Sequence, residues 1–383
     1  MVKRVLVLGS TGSIGEQVLE VIAGNDQLAV AGLAADRDWE RLCRQARDVA
    51  AHTVALADPD GARRAAAELD GVRVLAGEHG VRELIDATQP DLVLNAIVGT
   101  AGLGPTIATL SAGIDLALAN KESLVIGGDL VTTLAEATEA AILPVDSEHS
   151  ALAQLIERHP PGTVERVVLT ASGGPFRGRT ALSGVSVAEA LDHPTWQMGG
   201  RITVDCATLM NKGFEVIEAH HLFGLPYPAI EVVVHPQSIV HALVQLSDGA
   251  HLAHLGLPDM RVPISYALNY PDRPAVAEAV RLPELGVLSF EEPDLETFRC
   301  LRLAREAGLT GGNAPCALNA ADEVAVAAFL AGKIAFTAIP EVIAGVLDQT
   351  DVQPFTHFED LFECDARARE LALRLVSRAG ATA

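Results

Sequence analysis

The chain has 383 residues, 49% of them hydrophobic, and it carries 28 basic against 50 acidic residues for a formal net charge of -22. This length predicts two or three units with substantial cores, and the acidity argues against a nucleic-acid or anionic-membrane partner, because either requires an extended basic surface. Five scattered cysteines lack the spacing of a zinc site or a disulfide framework and favour a reducing cytoplasm; they are Cys43, Cys206, Cys300, Cys316 and Cys364. The first residues run directly into a strand-like segment, so we expect neither a signal peptide nor a membrane-spanning segment.

The first 148 residues alternate apolar, strand-like runs with amphipathic segments. The runs cover residues 5–8, 28–33, 92–97 and 142–145, and the amphipathic segments include residues 16–23 and 62–69. Such alternation predicts an α/β unit with a Rossmann-like parallel sheet flanked by helices.

A glycine-bearing turn follows the first predicted strand. Gly9, Gly12 and Gly15 have the spacing G-x-x-G-x-x-G, a variant of the fingerprint in which the backbone approaches a pyrophosphate at a helix N-terminus. A plain tight turn between a strand and a helix is the alternative. After the second strand come Asp36, which would bind a ribose 2′-hydroxyl, and Arg37, which would bind a 2′-phosphate, so these residues leave NAD and NADP both open.

Two carboxylates follow the predicted strand at residues 142–145. If strand geometry persists, Asp146 and Glu148 point the same way at the carboxyl end of a parallel sheet, and such a pair suits magnesium or manganese. The alternative is that Asp146 or Ser147 merely caps the helix predicted at residues 151–158. Glu215 becomes a third oxygen ligand only if two domains close together.

From residue 149 to about 270, strands at residues 166–170, 231–234 and 241–246 mix with helices, and a polar stretch at residues 173–188 interrupts them. This pattern predicts an α+β domain with a long mobile loop. Residues 271–294 read as a linker. Helical spacing at residues 295–307, 317–331, 339–347 and 366–377 then predicts a C-terminal helical domain.

The segment around residue 211 combines an amide, an ammonium and a carboxylate at a predicted helix start. Asn211 and Glu215 share one helix face at their spacing, and the free N–H groups of the N-terminus, helped by Lys212, attract phosphate. An ordinary capped helix with a solvated glutamate is the alternative.

Taken together, these features resemble the 1-deoxy-D-xylulose 5-phosphate reductoisomerase family, whose members are NADPH- and metal-dependent. The resemblance runs through nearly the whole chain and is carried by residues 9–15, 96–99, 119–124, 143–149, 172–177, 193–196, 210–213 with Glu215, and 235–238. It implies a V-shaped homodimer with an NADP(H)-binding domain (1–148), a catalytic and dimerisation domain with a flexible flap (149–270), a linker (271–294) and a helical C-terminal domain (295–383).

The resemblance also implies roles for single residues. The metal ligands are Asp146, Glu148 and Glu215, which form the catalytic set with Lys121, a residue expected between nicotinamide and substrate. The substrate-binding set is Ser147, Glu148, Ser172, His193, Trp196, Met198, Cys206, Asn211, Lys212 and Glu215, of which Trp196 and Met198 resemble flap side chains. The cofactor contacts are Gly9, Ser10, Thr11, Gly12, Ser13, Ile14, Asp36, Arg37, Asp38, Asn120, Lys121, Glu122 and Gly199. Taken singly, His193 could be a turn residue, Trp196 a core residue and Lys121 a strand end.

The chain departs from the family pattern at two places. Cys206 stands where the family usually has a serine, and a thiol is a weaker hydrogen-bond donor to phosphate. Residues 36–38 are Asp, Arg and Asp. The family commonly has glycine, then a small or basic residue, then asparagine or arginine at these positions. Selectivity for NADP over NAD is therefore the property that this departure would alter.

The reaction implied by the resemblance is the conversion of 1-deoxy-D-xylulose 5-phosphate to 2-C-methyl-D-erythritol 4-phosphate in non-mevalonate isoprenoid biosynthesis. It joins a metal-assisted skeletal rearrangement to hydride transfer from NADPH. Two alternatives are a non-isomerising NAD(P)-dependent sugar-phosphate dehydrogenase and a non-catalytic dinucleotide-sensing protein.

Overall fold

The computed structural model describes residues 2–196 and 198–380, which form two compact units that are not continuous in sequence. The first unit comprises residues up to Ser123, Val131–Ser150 and Asp259–Glu278. The second comprises Leu124–Leu130, Ala151–Pro258 and the chain from Ala279 onward. This division differs from the linear one expected from the sequence in three ways: residues 124–130 fall in the second unit, residues 259–278 fall in the first, and the chain from Ala279 onward groups with residues 151–258.

The first unit is built on a seven-stranded parallel sheet, which confirms the predicted α/β fold. Its strands lie in the order β4-β3-β2-β1-β5-β6-β7. They are β1 (Lys3–Leu8), β2 (Leu28–Ala35), β3 (Thr53–Leu56), β4 (Arg73–Ala76), β5 (Leu92–Asn95), β6 (Asp115–Leu118) and β7 (Ile142–Pro144). The strand order reverses between β1 and β5, and ligands of such sheets bind outside the carboxyl ends of the strands at this point.

Helices connect these strands. They are α1 (Ser13–Ala23), α2 (Trp39–Asp48), α3 (Pro59–Glu68), α4 (Gly77–Thr88), α5 (Leu103–Ser111) and α6 (Glu122–Thr138), of which Leu124–Leu130 falls in the second unit. Helix α7 (Ser147–Ile156) follows β7, and its residues from Ala151 onward also fall in the second unit. A later helix, α11 (Arg261–Asn269), belongs to the first unit. Ile264, Ala267 and Leu268 of α11 are buried in the same apolar core as the strands, which is the physical reason that residues 259–278 join it.

Two of the four-residue strands, β3 and β4, were not predicted from the sequence. A run of four residues is too short for its periodicity to separate a strand from a helix. Their pairing with β2 and with each other, which is a tertiary property, fixes them as strands.

The second unit contains a four-stranded mixed sheet in the order β11-β10-β8-β9. Its strands are β8 (Val164–Ala171), β9 (Ile230–Val234), β10 (Val240–Leu246) and β11 (His251–Leu255). Strand β10 is antiparallel to β8 and β11, whereas β8 and β9 are parallel. Strand β11 was not predicted, and it lies at the edge of the sheet with most of its residues exposed.

The remaining helices of the second unit are α8 (Val187–Leu191), α9 (Gly200–Thr208), α10 (Met210–Phe223), α12 (Leu282–Leu285), α13 (Arg299–Thr310), α14 (Ala314–Leu330), α15 (Ala338–Leu347) and α16 (Phe358–Gly380). From residue 296 to residue 380 the chain contains α13 to α16 and no strand, which agrees with the predicted helical C-terminal region. Helix α14 is buried along most of its length. Among the described residues, no helix has both the length and the apolar character needed to cross a membrane.

Candidate active site

The glycine turn after β1 leaves no room for side chains. Gly9 has a φ of +84°, and a Cβ atom added to it would lie 2.6 Å from the carbonyl oxygen of Ala96. A Cβ atom on Gly15 would lie 2.3 Å from the carbonyl oxygen of Gly9. Helix α1 follows with Gly12 as its N-cap, whose position offers no side-chain cap. The turn therefore presents backbone at a helix N-terminus, the arrangement that receives a pyrophosphate.

Side chains around this turn divide into buried and exposed ones. Ser10 is fully buried, and its hydroxyl donates to Gln45 Oε1 at 2.8 Å, while Thr11 and Ser13 are more exposed. Arg41, which the sequence did not single out, donates from Nη1 to the carbonyl oxygen of Thr11 at 3.2 Å. The sequence places Arg41 in the first turn of a helix, but it does not indicate that the side chain reaches Thr11, which lies 30 residues earlier.

The three residues after β2 have different environments. Asp38 caps α2, since its Oδ1 accepts from the backbone N–H of Arg41 at 3.0 Å. Asp36 and Arg37 form an ion pair of 3.6 Å, with side chains 75% and 83% exposed. Arg37 is therefore free to reorient toward a ligand, whereas Asp38 already has a structural role.

Asn120 and Glu122 tie two loops of the first unit together. The Asn120 amide donates to the carbonyl oxygens of Ile97 at 2.6 Å and Gly99 at 2.9 Å, and to Glu122 Oε2 at 2.9 Å. Glu122 Oε1 in turn accepts from the backbone N–H of Gly99 at 2.9 Å. A Cβ atom on Gly102 would lie 2.4 Å from Asn120 Cγ. These buried groups fix the shape of the loops after β5 and β6 at the switch point.

Lys121 and His149 meet at one carboxylate. The ammonium of Lys121 pairs with Asp146 Oδ2, and His149 Nδ1 lies 3.1 Å from Asp146 Oδ1. All three side chains are buried or nearly so. His149 stood inside a motif quoted from the sequence, yet sequence reasoning gave it no role, because nothing local shows that its ring turns back to Asp146.

Asp146 and Glu148 converge, but not by the predicted route. Strand β7 ends at Pro144 and α7 begins at Ser147, so the expectation that strand geometry persists to residue 148 is wrong. Their oxygens nevertheless lie within 4.8 Å of one another, because Asp146 precedes the first turn of α7 and Glu148 lies in it. Asp146 Oδ1 also accepts from the backbone N–H of Glu148 at 3.2 Å, and the Ser147 hydroxyl donates to Glu148 Oε2 at 2.5 Å. Helix capping and convergence of carboxylates occur together.

In the second unit, the helix start predicted near Asn211 is the start of α10, and another helix, α9, ends at Thr208 just before it. Leu209 has a φ of 62° and separates α9 from α10. Asn211 Nδ2 donates to Glu215 Oε1 at 2.6 Å, which confirms that the two side chains share a face, and the Lys212 ammonium pairs with Glu215 Oε2. Lys212 and Glu215 are buried, so this is not the solvated helix face of the alternative interpretation. Glu218, one turn further and 1% exposed, was missed although its spacing from Glu215 was readable.

Ser172 and His193 form a hydrogen-bonded pair. His193 Nδ1 accepts from the backbone N–H groups of Thr195 at 3.1 Å and Trp196 at 3.0 Å, so its Nε2 carries the proton and donates to Ser172 Oγ at 3.0 Å. Burial lowers the pKa of His193 below its ordinary value, which keeps the ring neutral at pH 7. His193 thus both ends a turn and orients Ser172.

The other predicted substrate and cofactor residues of this unit lie on α9 or just before it. Trp196, Met198 and Cys206 are half-buried, and Gly199 is the exposed N-cap of α9. The two units hold separate parts of the predicted set: the glycine turn, Lys121, Asp146 and Glu148 in the first, and Ser172, His193, Asn211, Lys212 and Glu215 in the second.

Family models match most of the chain. One described as "1-deoxy-D-xylulose 5-phosphate reductoisomerase" matches residues 5–128, one described as its "C-terminal domain" matches residues 142–223, and one described as "DXP reductoisomerase C-terminal domain" matches residues 255–371.

Full-length relatives and solved structures agree with these models. The chain is 47% identical over 387 residues to the 1-deoxy-D-xylulose 5-phosphate reductoisomerase of Pelotomaculum thermopropionicum, covering 98% of each. It is 49% identical over 378 residues to that of Moorella thermoacetica, covering 97% of this chain and 98% of the relative.

A solved DOX-P reductoisomerase in complex with NADPH, fosmidomycin and magnesium superposes with a TM-score of 0.94 at 38% identity over 98% of each chain. The Zymomonas mobilis enzyme in complex with NADPH gives 0.91 at 40% identity, over 98% of this chain and 99% of that one. With relatives this similar along their whole length, the chain belongs to the 1-deoxy-D-xylulose 5-phosphate reductoisomerase family.

Proposed function

We propose that this chain converts 1-deoxy-D-xylulose 5-phosphate to 2-C-methyl-D-erythritol 4-phosphate, using NADPH and one divalent cation, magnesium or manganese, in non-mevalonate isoprenoid biosynthesis. The observation that carries the proposal is the similarity over 98% of both chains to a DOX-P reductoisomerase in complex with NADPH, fosmidomycin and magnesium. A non-catalytic dinucleotide sensor has no evident use for three acidic side chains and a phosphate-binding helix start, and the product of the reaction separates the remaining alternative, a dehydrogenase without isomerisation.

The first unit has groups suited to NADPH. The close-packed backbone at Gly9 and Gly15 leaves the start of α1 open to a pyrophosphate. Arg37 is exposed and offers a forked cation to a 2′-phosphate. The remaining cofactor contacts that we propose are Ser10, Thr11, Gly12, Ser13, Ile14, Asp36, Asp38, Asn120, Lys121, Glu122 and Gly199. Asn120 and Glu122 contribute at least by shaping the loops on which a nicotinamide would lie.

The proposed metal ligands are Asp146, Glu148 and Glu215. All three offer carboxylate oxygens, the donors that magnesium and manganese prefer, and the oxygens of the first two converge within 4.8 Å. Glu215 is 1% exposed, and a buried carboxylate requires cationic or hydrogen-bonding partners. A bound cation would supply Lewis-acid polarisation of neighbouring substrate oxygens, and NADPH would supply the hydride.

The chain's own residues would bind and orient the substrate. Asn211 and Lys212, at the N-terminus of α10, suit the phosphate, and neutral His193 holds the Ser172 hydroxyl in place for it. Cys206 belongs to the same proposed set as a weaker donor, together with Ser147, Glu148 and Glu215. Trp196 and Met198 would cover the bound substrate and exclude water.

Lys121 is the proposed group for oxyanion charge. Its ammonium is buried and held by Asp146, so it is oriented before substrate arrives. A cation fixed in a site from which water is excluded stabilises developing negative charge without reorganising solvent. Lys121 can thus stabilise an oxyanion or relay a proton during rearrangement.

We also propose that the protein is a cytoplasmic homodimer with the four segments expected from the sequence. Support for a dimer comes from β11, an exposed edge strand on which Leu252 and Leu255 are 38% and 39% exposed. Support for the cytoplasm comes from five cysteines that are all free thiols. Light scattering of the purified protein would test the dimer.

The decisive experiment follows NADPH oxidation with 1-deoxy-D-xylulose 5-phosphate and added manganese, and then examines the product by NMR. We expect turnover that stops on chelation and a product with a new methyl-bearing quaternary carbon. Reduction without that carbon would favour the non-isomerising dehydrogenase, and cofactor binding without metal-dependent turnover would favour a dinucleotide sensor.

A further inference from the structure

A largely buried arginine joins α9 to α14 in the second unit. Arg201, in the first turn of α9, donates from Nη1 to Glu323 Oε1 at 3.0 Å and from Nη2 to Asn319 Oδ1 at 3.0 Å. Its guanidinium also lies 3.5 Å from Asp322 Oδ2 and 3.6 Å from Asp205 Oδ2. Three of these four partners occupy one face of α14, and the fourth is on α9 itself. The first turn of α9 is thereby attached to a single stretch of α14.

The contact continues from α14 to α16. Arg369 Nη2 donates to Glu323 Oε2 at 2.5 Å, and its Nε donates to Asp365 Oδ2 at 2.6 Å. Glu323 therefore accepts one arginine through each carboxylate oxygen and is held between them. We call the chain Arg201, Glu323, Arg369, Asp365 the arginine relay.

Stability alone is a weak reason for such an arrangement. Arg201 is 15% exposed and Asp322 is fully buried, so these charges lose most of their hydration on folding. Apolar side chains of similar volume often stabilise a protein as well or better, whereas paired charges accept only one geometry. The attachment therefore contributes more to the position of α9 than to the free energy of unfolding.

Helix α9 lies between two parts of the proposed site. Before it comes the flap segment, residues 173–196, with His193 and Trp196 near its end. After it, separated only by Leu209, comes the start of α10 with Asn211 and Lys212. A shift of the first turn of α9 would move the end of the flap segment and change its relation to the phosphate-binding residues.

We propose that Arg201 is a positioning residue for the reaction. Held by the arginine relay, it fixes the first turn of α9 on the C-terminal helices and so sets the end of the flap segment against the phosphate-binding start of α10. The C-terminal helical segment thereby takes part in substrate binding without touching substrate. The inference rests on the proposed function for its kinetic consequences, although the attachment itself can be tested without substrate.

The test compares Arg201→Met, Arg201→Lys and Glu323→Gln with Arg374→Met in the full chain. Arg374 forms an exposed ion pair with Glu370 on α16, at 55% and 72% exposure, and serves as the matched control. In Arg201→Met we expect the KM for the pentulose phosphate to rise roughly tenfold or more with kcat changed less than about fivefold, because the groups that Arg201 positions bind the phosphate and not the reacting carbons. Arg201→Lys should recover part of the loss, since one ammonium cannot reach both α14 acceptors in the same geometry. NADPH affinity and the control variant should be unchanged.

Limited proteolysis of the ligand-free proteins gives a second, independent measurement. The flap segment should be cut several-fold faster in Arg201→Met and Glu323→Gln than in wild type or Arg374→Met. If Arg201→Met does not fold, two other variants decide: Glu323→Gln, which preserves side-chain size, and Arg201→Lys, which preserves the positive charge. Wild-type KM together with wild-type cleavage in those variants would overturn the proposal. An inactive wild-type protein would instead refute the proposed function and leave the proteolysis comparison to decide whether α9 is positioned by the relay.

Discussion

At the scale of residues, the proposed metal ligands and lysines form pairs within their own units. Asp146 is held by Lys121 and by the ring of His149, and Glu215 is held by Lys212 and Asn211. Buried carboxylates are costly unless charges or hydrogen bonds compensate them, and these partners supply that compensation. Each unit thus holds its own proposed ligand in a fixed position before any cation binds.

Glu215→Gln preserves the shape of this side chain and removes its charge. We expect turnover to fall by orders of magnitude and Mn²⁺ to bind more weakly, while NADPH affinity persists, because the amide is a poor ligand for a hard cation. Steady-state kinetics over a manganese titration and electron paramagnetic resonance of free Mn²⁺ would measure both effects. Glu165→Gln, on an exposed part of β8, is the control. Near-normal activity of Glu215→Gln at limiting metal would contradict the assignment.

Cofactor choice is the second prediction at this scale. Asp36 pairs with Arg37 on the surface and Asp38 caps α2, so neither acid is fixed toward a ribose. We expect NADPH to be preferred over NADH, with a wider preference in Asp36→Gly and a narrower one in Arg37→Ala, because the first removes repulsion and the second removes attraction for the 2′-phosphate. The ratio of kcat/KM for the two cofactors in the three proteins measures this. A wild-type ratio in favour of NADH would show that Asp36 faces the ribose.

At the scale of elements, α10 shows how packing and chemistry share one helix. Its first turns carry the polar side chains of Asn211, Lys212 and Glu215. Gly213 lies between Lys212 and Glu215 in sequence and allows α13 to approach α10 closely. A Cβ atom on Gly213 would lie 2.4 Å from the Cβ of Ala304. The glycine in this motif is therefore explained by the helix contact rather than by a turn.

Gly213→Ala tests that contact. The substitution should lower the free energy of unfolding by about 1–3 kcal/mol, because the added methyl group overpacks the contact and outweighs the gain of about 1 kcal/mol in helix propensity. Adding Ala304→Gly should restore much of the packing by removing the opposing methyl group. Denaturant unfolding of the single and double variants gives the values. A single variant as stable as wild type would mean that α13 can move away at no cost.

The flap segment supplies the second prediction for an element. Its glycines, its arginines and the hydrogen bonds that Thr195 and Trp196 donate to His193 suit a segment that is ordered around a ligand. We expect a protease to cut residues 173–196 in the free protein, and substrate with metal to protect them. Mass spectrometry of the fragments locates the cuts. Equal cleavage rates with and without ligand would argue against ordering by substrate.

At the scale of the whole molecule, acidic residues outnumber basic ones and give a net charge of -22, and some of these acidic side chains lie in the interior. Asp322 is fully buried, faced by Arg201, Asp205, Glu323 and the thiol of Cys300. Burial is the main cause that raises the pKa of Asp322 from 3.8 to about 6, and Glu323 adds to it, whereas Arg201 and Asp205 oppose it. The ionised form of Asp322 is therefore disfavoured in the fold.

The free energy of unfolding of Asp322→Asn, measured relative to that of wild type, should therefore increase as pH rises. A folded-state pKa above the unfolded value means that wild type is most favoured when Asp322 is protonated, and that it loses stability as pH rises from about 4 to about 6. The asparagine variant has no such loss, so its advantage over wild type should grow by roughly 1–1.5 kcal/mol between pH 5 and pH 8. Denaturant unfolding at the two pH values measures it. An advantage that shrinks with rising pH would show that ionised Asp322 is stabilised by Arg201.

By itself, the sequence determined what depends on neighbours along the chain. The parallel sheet of the first unit, the glycine turn, the helical C-terminal region and the shared face of Asn211 and Glu215 were all predicted, because period, turn chemistry and helix spacing are local properties. The short strands β3 and β4 were missed because pairing, not periodicity, makes them strands.

Tertiary structure alone decided which charges meet. Lys121 and Asp146 are separated by 25 residues, and Arg201 and Glu323 by 122, so neither pairing has a local signal. The placement of α11 in the first unit was decided in the same way, by apolar side chains that join a core assembled from distant strands. Burial then determined how strongly these charges depend on their partners. An unpaired charge is costly only where water has been removed, and water is removed only when the chain folds.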